Sequence, residues 1–286
     1  MPLPPYPKYV GPPVEAVKKW EGPKAPKMSV VIPVRDRGGS RLRNCLRSLQ
    51  LQSVEGIKVI VVDYGSTQEN HLTIMETAES FNCTVYRCKT DKIWSMSISR
   101  NIGLRRTIER KKNIGRFACT LDVDCILERD VIKTVLNLHK KEPRSLVVST
   151  VWWLPSMTEE KLGEIELPRD YNLLHKIGSP RTAGHGALMS AKIDWWKKVR
   201  GFDERMRGWG ADDDDIKKRA KWDHMTLRPL ERIKNKTKRL RIFHQWHPNK
   251  GKDGKAGNVE TWRMNKKILK YAKGIVRNDK TWGAMR

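Results

Sequence analysis

Four consecutive carboxylates, Asp212 to Asp215, follow Gly208-Trp209-Gly210 in a chain whose 58 Lys+Arg outnumber its 32 Asp+Glu. Adjacent like charges repel, so such a run needs water, a cation or a substrate to offset it. Acidic residues are also favoured at a helix N-terminus, which is the plainer reading. A second pair, Asp122 and Asp124, closes the apolar stretch LDVDC. Alternation along a strand would point both to one side. Converging carboxylates call for a divalent cation, and hard ions such as Mg2+ and Mn2+ take oxygen ligands and bridge to phosphate oxygens. RLRIFHQWHPN (239–249) reads as a strand feeding a loop, with His244 and His247 three residues apart. The spacing suits zinc, yet no cysteine or further histidine is near enough to complete a tetrahedral set. A lone hydrogen-bonded histidine is the alternative for either residue.

These groups need a frame to hold them. MSVVIPVRDR (28–37), IKVIVVDYGST (57–67), CTVYRCK (83–89), GRFACTLDVDCIL (115–127) and SLVVSTVWWL (145–154) read as buried strands. Between them, 41–53, 71–81, 95–110 and 130–141 space apolar residues at helical intervals. Strands alternating with helices imply an α/β fold, a mostly parallel sheet with helices on both faces. Ligands of such sheets bind beyond the C-terminal strand ends, where Arg35, Asp36, Asp63, Asp122 and Asp124 fall. The proline-rich residues 1–27 read as a basic arm over the surface. Residues 155–286 alternate less regularly and read as an acceptor-side half ending in a basic tail.

Charge is concentrated late in the chain. Residues 216–286 carry 22 basic and five acidic residues, +17 of the total +26. So dense a cationic region is a footprint for a polyanion, the alternative being a basic surface that only aids solubility. No apolar run approaches the roughly 18 residues of a membrane helix, and the opening residues lack the apolar segment of a secretory signal. Five cysteines without a CxxC pair fit buried thiols in a reducing compartment. The expectation is a cytoplasmic location, in a bacterium or a virus-infected host cell.

SVVIPVRDR, VIVVDYGST, SRNIG, LDVD and GFDERMRGWGADDDDIKKR follow in the order and rough spacing of GT-A fold (Rossmann-like), family-2-like glycosyltransferases. The last segment most resembles the galactosyltransferase and chondroitin-polymerase type of site. The resemblance implies a GT-A domain at 28–247, with a nucleotide-sugar half at 28–127 and an acceptor half at 128–247. An arm (1–27) and a basic C-terminal extension (248–286) flank it. It also implies roles. Pro33, Val34 and Arg35 would form the first nucleotide-sugar loop. Asp63 would meet the uracil or ribose, although Tyr64 replaces the second acid common there; a turn cap is the alternative. Arg100 and Asn101 would approach the nucleotide and the metal-binding turn. Asp122, with Val123, would face ribose or metal-bound water, with direct metal ligation as its alternative, and Asp124 would ligate the metal. His244 would be a third ligand, with His247 as an alternative or as a contact to diphosphate or acceptor. Gly184, His185 and Gly186 belong to a segment that closes over the donor sugar, glycine permitting close approach. Trp209 offers a face for stacking a sugar ring. Asp213 matches the base in line with the anomeric carbon. Asp212, more often Glu in the family, would hydrogen-bond hydroxyls. Crowding in the run should raise at least one carboxyl pKa, while Asp214 and Asp215 begin a solvated helix.

These readings imply an Mn2+- or Mg2+-dependent inverting glycosyltransferase with a nucleotide-sugar donor, a UDP-sugar by preference. The basic region argues for an anionic acceptor, with a modified base in DNA, as in virus-encoded DNA glycosylation, favoured. A glycan or lipid-linked acceptor at an anionic membrane, a non-catalytic nucleic-acid-binding protein on the same scaffold and a nucleotidyltransferase are the alternatives.

Overall fold

In the computed structural model the described residues are 3–5, 14–19, 26–109, 117–180, 186–235, 238–247 and 259–284. Gly184 and His185 lie outside them. Strands in chain order are β1 (Val14–Lys18), β2 (Met28–Val34), β3 (Ile57–Tyr64), β4 (Cys83–Cys88), β5 (Phe117–Leu121), β6 (Cys125–Leu127) and β7 (Ser145–Val148). They continue with β8 (Trp152–Trp153), β9 (Ser179–Pro180), β10 (Leu188–Lys192), β11 (Thr226–Pro229), β12 (Lys234–Asn235), β13 (Lys238–Arg239) and β14 (Ile242–His244). The helices are α1 (Gly39–Gln50), α2 (Gln68–Glu79), α3 (Met96–Glu109), α4 (Val131–Lys141), α5 (Glu159–Gly163), α6 (Tyr171–Ile177), α7 (Ile193–Val199), α8 (Asp212–Trp222) and α9 (Val259–Tyr271).

The central sheet runs β1-β4-β3-β2-β5-β10-β7-β11. β4, β3, β2 and β5 are parallel neighbours, while β10 runs antiparallel between β5 and β7. Every residue of β2 is buried, because both faces of the sheet are covered. Alternation sorts the side chains: Val30, Ile32, Val59 and Val61 join the core with Leu42, Ile74 and Val135 of α1, α2 and α4. Val31, Ile60 and Val62 join the other core with Ile102, Trp196 and Ile216 of α3, α7 and α8. The expected α/β sheet with helices on both faces is the one observed.

Two predicted strands are each two strands. The stretch 115–127 breaks after Leu121: Cys125 N–H donates to Asp122 O at 3.1 Å, closing a turn. β6 then leaves for a second sheet, β6-β14-β8-β9. Asp122 and Asp124 therefore sit in a turn, and the expectation that strand alternation aligns them is wrong. The stretch 145–154 divides the same way into β7 and β8.

Both ends of the chain contribute structure. Val14–Lys18, within the predicted arm, pairs antiparallel with β4 as an edge strand. Within the predicted tail, α9 packs on α8, and Trp282, 3% exposed, enters the second core.

Candidate active site

β14 pairs antiparallel with β6 so that His244 faces Cys125, and Gln245 N–H donates to Asp124 O at 2.8 Å. That register brings a strand late in the chain against the Asp122–Asp124 turn. His244 Nε2 lies 3.3 Å from Asp124 Oδ1, and His247 Nε2 lies 3.2 Å from Asp124 Oδ2. One ligand atom from each residue lies within 4.8 Å of the others. Trp153 stacks on the His244 ring at 4.4 Å and fixes its plane. Arg37 donates to Asp124 Oδ2 at 2.8 Å and approaches His247 Nδ1 at 3.3 Å. Burial alone would raise the Asp124 carboxyl, but His244, His247 and Arg37 together hold it well below the usual carboxylate range.

This set fits a divalent cation. Asp124 Oδ1 is buried and accepts no hydrogen bond, so a lone pair is left for a stronger partner. One carboxylate and two imidazoles make a mixed oxygen and nitrogen donor set that would hold a divalent transition-metal ion. The structure brings both predicted histidines to the same carboxylate. Arg37, which carries no expected role, stands one residue past Asp36 on the same strand-end loop.

A few residues away, Arg100 of α3 joins the two acid groups. Its Nη2 donates to Asp122 Oδ1 at 2.7 Å and to Gly186 O at 3.1 Å, and its Nη1 donates to Asp212 Oδ2 at 2.8 Å. The guanidinium also lies over the Phe202 ring at 5.0 Å. Burial opposes the charge of Arg100, and the two carboxylates more than restore it. Burial raises Asp122, with Arg100 opposing and the neighbouring Asp124 reinforcing.

The four acids of α8 have four different settings. Asp212 is buried against Arg100, and burial, with Asp213 and Asp122 nearby, pushes it up to about 6. Its Oδ2 accepts from Arg100. Asp213 remains partly open, 3.4 Å from Lys217 Nζ. A β-carbon on Gly186 would lie 3.0 Å from Asp213 Cβ, tighter than an ordinary contact, so glycine eases the approach of the two segments. Asp214 bridges Lys217 at 2.8 Å and Lys266 at 3.6 Å. Asp215 overturns the solvated-helix expectation: it is fully buried between Arg219 Nε at 2.8 Å and Arg277 Nη2 at 2.9 Å.

The remaining predicted residues divide. Trp209 is 56% exposed at the loop before α8. Arg35 donates to Lys92 O at 2.7 Å beside the strand ends. Pro33 and Val34 are buried within β2, and Val123 is buried in the turn. Asp63 is fully buried; it accepts from Ser66 N–H at 3.1 Å and pairs with His71 Nδ1 at 2.8 Å. The turn-cap reading is thus the one its geometry matches. Asn101 is also fully buried, donating to Phe202 O and Glu204 Oε1, both at 2.9 Å, and accepting from Phe202 N–H at 2.7 Å. It braces the Gly-Phe-Asp-Glu segment and does not face the turn, contrary to the expectation from the resemblance. Glu204 and Asn265, neither of them expected, hold loops at the site; Glu204 lies in the Gly-Phe-Asp-Glu segment that carries the resemblance, whereas only a long-range contact marks Asn265.

A family model described as Glycosyl transferase family 2 matches residues 29–195. The chain belongs to glycosyl transferase family 2. A second model, described as the N-terminal domain of galactosyltransferase, matches residues 173–246 of this glycosyltransferase, the stretch holding Gly186, Trp209, Asp212, Asp213 and His244. No curated protein matches it in sequence. Among solved structures it is similar to S. aureus TarS 1–349 in complex with UDP, with 16% identity and a TM-score of 0.53 over 78% of this chain and 61% of that one. It is also similar to GalNAc-T7 with UDP, GalNAc and Mn2+, with 14% identity and a TM-score of 0.61 over 86% of this chain and 47% of that one. The chain thus spans less than two thirds of the length of either. At these identities the likeness is one of fold, and that fold is GT-A.

Proposed function

We propose that this family-2 glycosyltransferase moves a sugar from a UDP-sugar to an acceptor hydroxyl, inverting the anomeric carbon, with Mn2+ or Mg2+ held by Asp124, His244 and His247. The observation that carries the reading is the meeting of both imidazoles on one buried carboxylate with an unbonded oxygen. UDP in the TarS structure and UDP with Mn2+ in the GalNAc-T7 structure support the choice of donor and ion.

When bound, the cation supplies charge neutralisation for the departing diphosphate. Asp213 takes the acceptor O–H proton as that oxygen bonds to the anomeric carbon, and the carbon–oxygen bond to the diphosphate breaks. Its partial exposure and its place beside Gly186 favour it over Asp212, which Arg100 occupies. Arg100 holds Asp122 and Asp212 in fixed relation, so the donor turn and the acceptor acids are preorganised. Trp209 shields the reacting centre and offers a ring face.

The acceptor is read as a polyanion, DNA by preference, from the charge of residues 216–286. No helix among the described residues is long and apolar enough to cross a membrane. UDP- and GDP-sugars are to be offered with Mn2+ or EDTA against hydroxymethylated DNA, unmodified DNA and glycans, with products weighed by mass spectrometry. The expected outcome is Mn2+-dependent release of UDP and a hexose-sized gain on one acceptor. Pyrophosphate release from a nucleoside triphosphate would overturn it in favour of nucleotidyl transfer.

A further inference from the structure

Helix α9 meets the acceptor-side loop with both of its faces. On the inner face Asn265 is buried, and its Nδ2 donates to the carbonyls of Arg207 at 2.7 Å, Gly210 at 3.1 Å and Trp209 at 3.4 Å. Its Oδ1 accepts from Arg207 N–H at 3.1 Å. The loop turns through positive φ at Gly208, Gly210 and Ala211, so its shape depends on outside partners. From the opposite side Gly208 N–H donates to Trp94 O at 2.6 Å. The loop that carries Trp209 and leads into Asp213 is therefore clamped to α9.

The outer face is basic and aromatic. Trp262 is 39% exposed and packs beside Gly210, where an added β-carbon would lie 3.2 Å from Trp262 Cδ1. Two large indoles, Trp209 and Trp262, thus stand in solvent close to the acceptor acids. Lys266 follows one turn later, its Nζ 5.8 Å from the Trp262 ring centre and 3.6 Å from Asp214. Lys270 follows one turn beyond that, 5.0 Å from the Tyr271 ring centre. At about 1.5 Å rise per residue the row from Trp262 to Lys270 is roughly 12 Å long. Exposed rings interleaved with cations along one row bind a flexible polyanion whose own rings can stack. Duplex DNA keeps its bases stacked inside and cannot use the indoles unless a nucleotide is turned out.

We propose that α9 is the acceptor platform: single-stranded nucleic acid lies along Trp262, Lys266 and Lys270 with a ring against Trp209, and Asn265 keeps that platform in register with Asp213. The proposal rests on the acceptor side of the function proposed above and names its substrate form.

The test is fluorescence anisotropy of a labelled oligothymidylate with the full chain over a salt series. The unmodified protein should bind with an affinity that falls steeply with salt. Trp262→Ala should weaken binding roughly tenfold, as loss of one stacked base does. Because Trp262 packs on Gly210, Lys266→Gln with Lys270→Gln reads the same surface without disturbing that packing. This pair should lower the log–log salt slope by about 0.7 for each phosphate that is no longer neutralised. Lys133→Gln with Lys140→Gln, exposed on α4, should change nothing. Three results would each overturn the proposal: unchanged affinity in the α9 variants, an abasic oligomer bound as tightly as oligothymidylate, or phosphatidylglycerol vesicles bound in its place through the same residues. Mn2+-dependent UDP binding is measured alongside, since its absence would count against the donor site and leave the anisotropy result to judge the platform.

Discussion

Arg100 donates through Nη1 to Asp212 Oδ2 at 2.8 Å, while its Nη2 reaches Asp122 at 2.7 Å. One planar cation spans the Asp122–Asp124 turn and the first acid of α8, and a lysine ammonium cannot reproduce that fork. Arg100→Lys is expected to strand one buried carboxylate. It should cost about 3–5 kcal/mol, read as a lower urea midpoint, with transfer lost as well. A midpoint equal to that of the unmodified protein would show that the two acids do not need the fork.

Asp213 is the accessible carboxylate beside Gly186. Asp213→Asn should slow transfer by roughly 10²–10⁴-fold while calorimetry shows UDP-sugar binding intact. Near-normal turnover would remove Asp213 as the base.

Metal dependence should reside in the β14 end and the Asp122–Asp124 turn. Asp124→Ala should bind UDP-sugar equally well in Mn2+ and in EDTA. His247→Ala should need roughly 10–100-fold more Mn2+ to reach the same affinity, by analogy with weakened metal sites. Full Mn2+-dependent affinity in Asp124→Ala would rule out the cluster.

Glu204 carries a signature in pH. Burial pushes its carboxyl up to about 7, despite bonds from Asn101 and the Gly283 backbone. The folded state therefore holds this proton more tightly than the unfolded chain, whose value lies near 4.5. That contribution is present at low pH and is lost as pH rises from about 4.5 through 7, a change on the order of 3 kcal/mol. Asp212 adds a loss of the same sign up to about 6. Glu204→Gln should flatten the fall, because both bonds enter Oε1 and an amide oxygen can accept them. Unfolding free energies measured from pH 4.5 to 8 check this, and identical slopes would refute it.

Asp215 and Asp214 are neighbours with opposite prospects. Asp215→Asn leaves Arg219 and Arg277 facing each other in the interior and should cost about 3–5 kcal/mol. Asp214→Asn removes a half-exposed pairing and should cost less than about 1 kcal/mol. Chemical denaturation of both variants decides whether the two acids differ as their burial says.

Much of the frame was legible because it is local. Apolar runs such as VVIPV and VIVVD, short and rich in β-branched residues, fit a covered sheet, and LDVD with the later His244 pointed to one end of it. What stayed hidden depends on partners far along the chain. Nothing near Leu121 says that Asp122 opens a turn, since the break follows from β6 pairing with β14 more than a hundred residues later. Four identical side chains in Asp212–Asp215 cannot disclose that one meets Arg100 and another Arg277. Asp63 and Asn101 match positions that touch ligand in relatives by resemblance, yet here His71, Ser66, Phe202 and Glu204 take up their polar atoms.

The grip of residues 265–283 on the candidate site has a consequence for the order in which the fold closes. Asn265 grips the loop at Arg207–Gly210, Arg277 neutralises Asp215, and Gly283 N–H closes on Glu204 at 2.8 Å. Until residues 265–283 are docked, the loop before Asp213 has its sequence but lacks the partners that shape it. The loop therefore takes its shape only once a segment 55 to 58 residues further along the chain is in place.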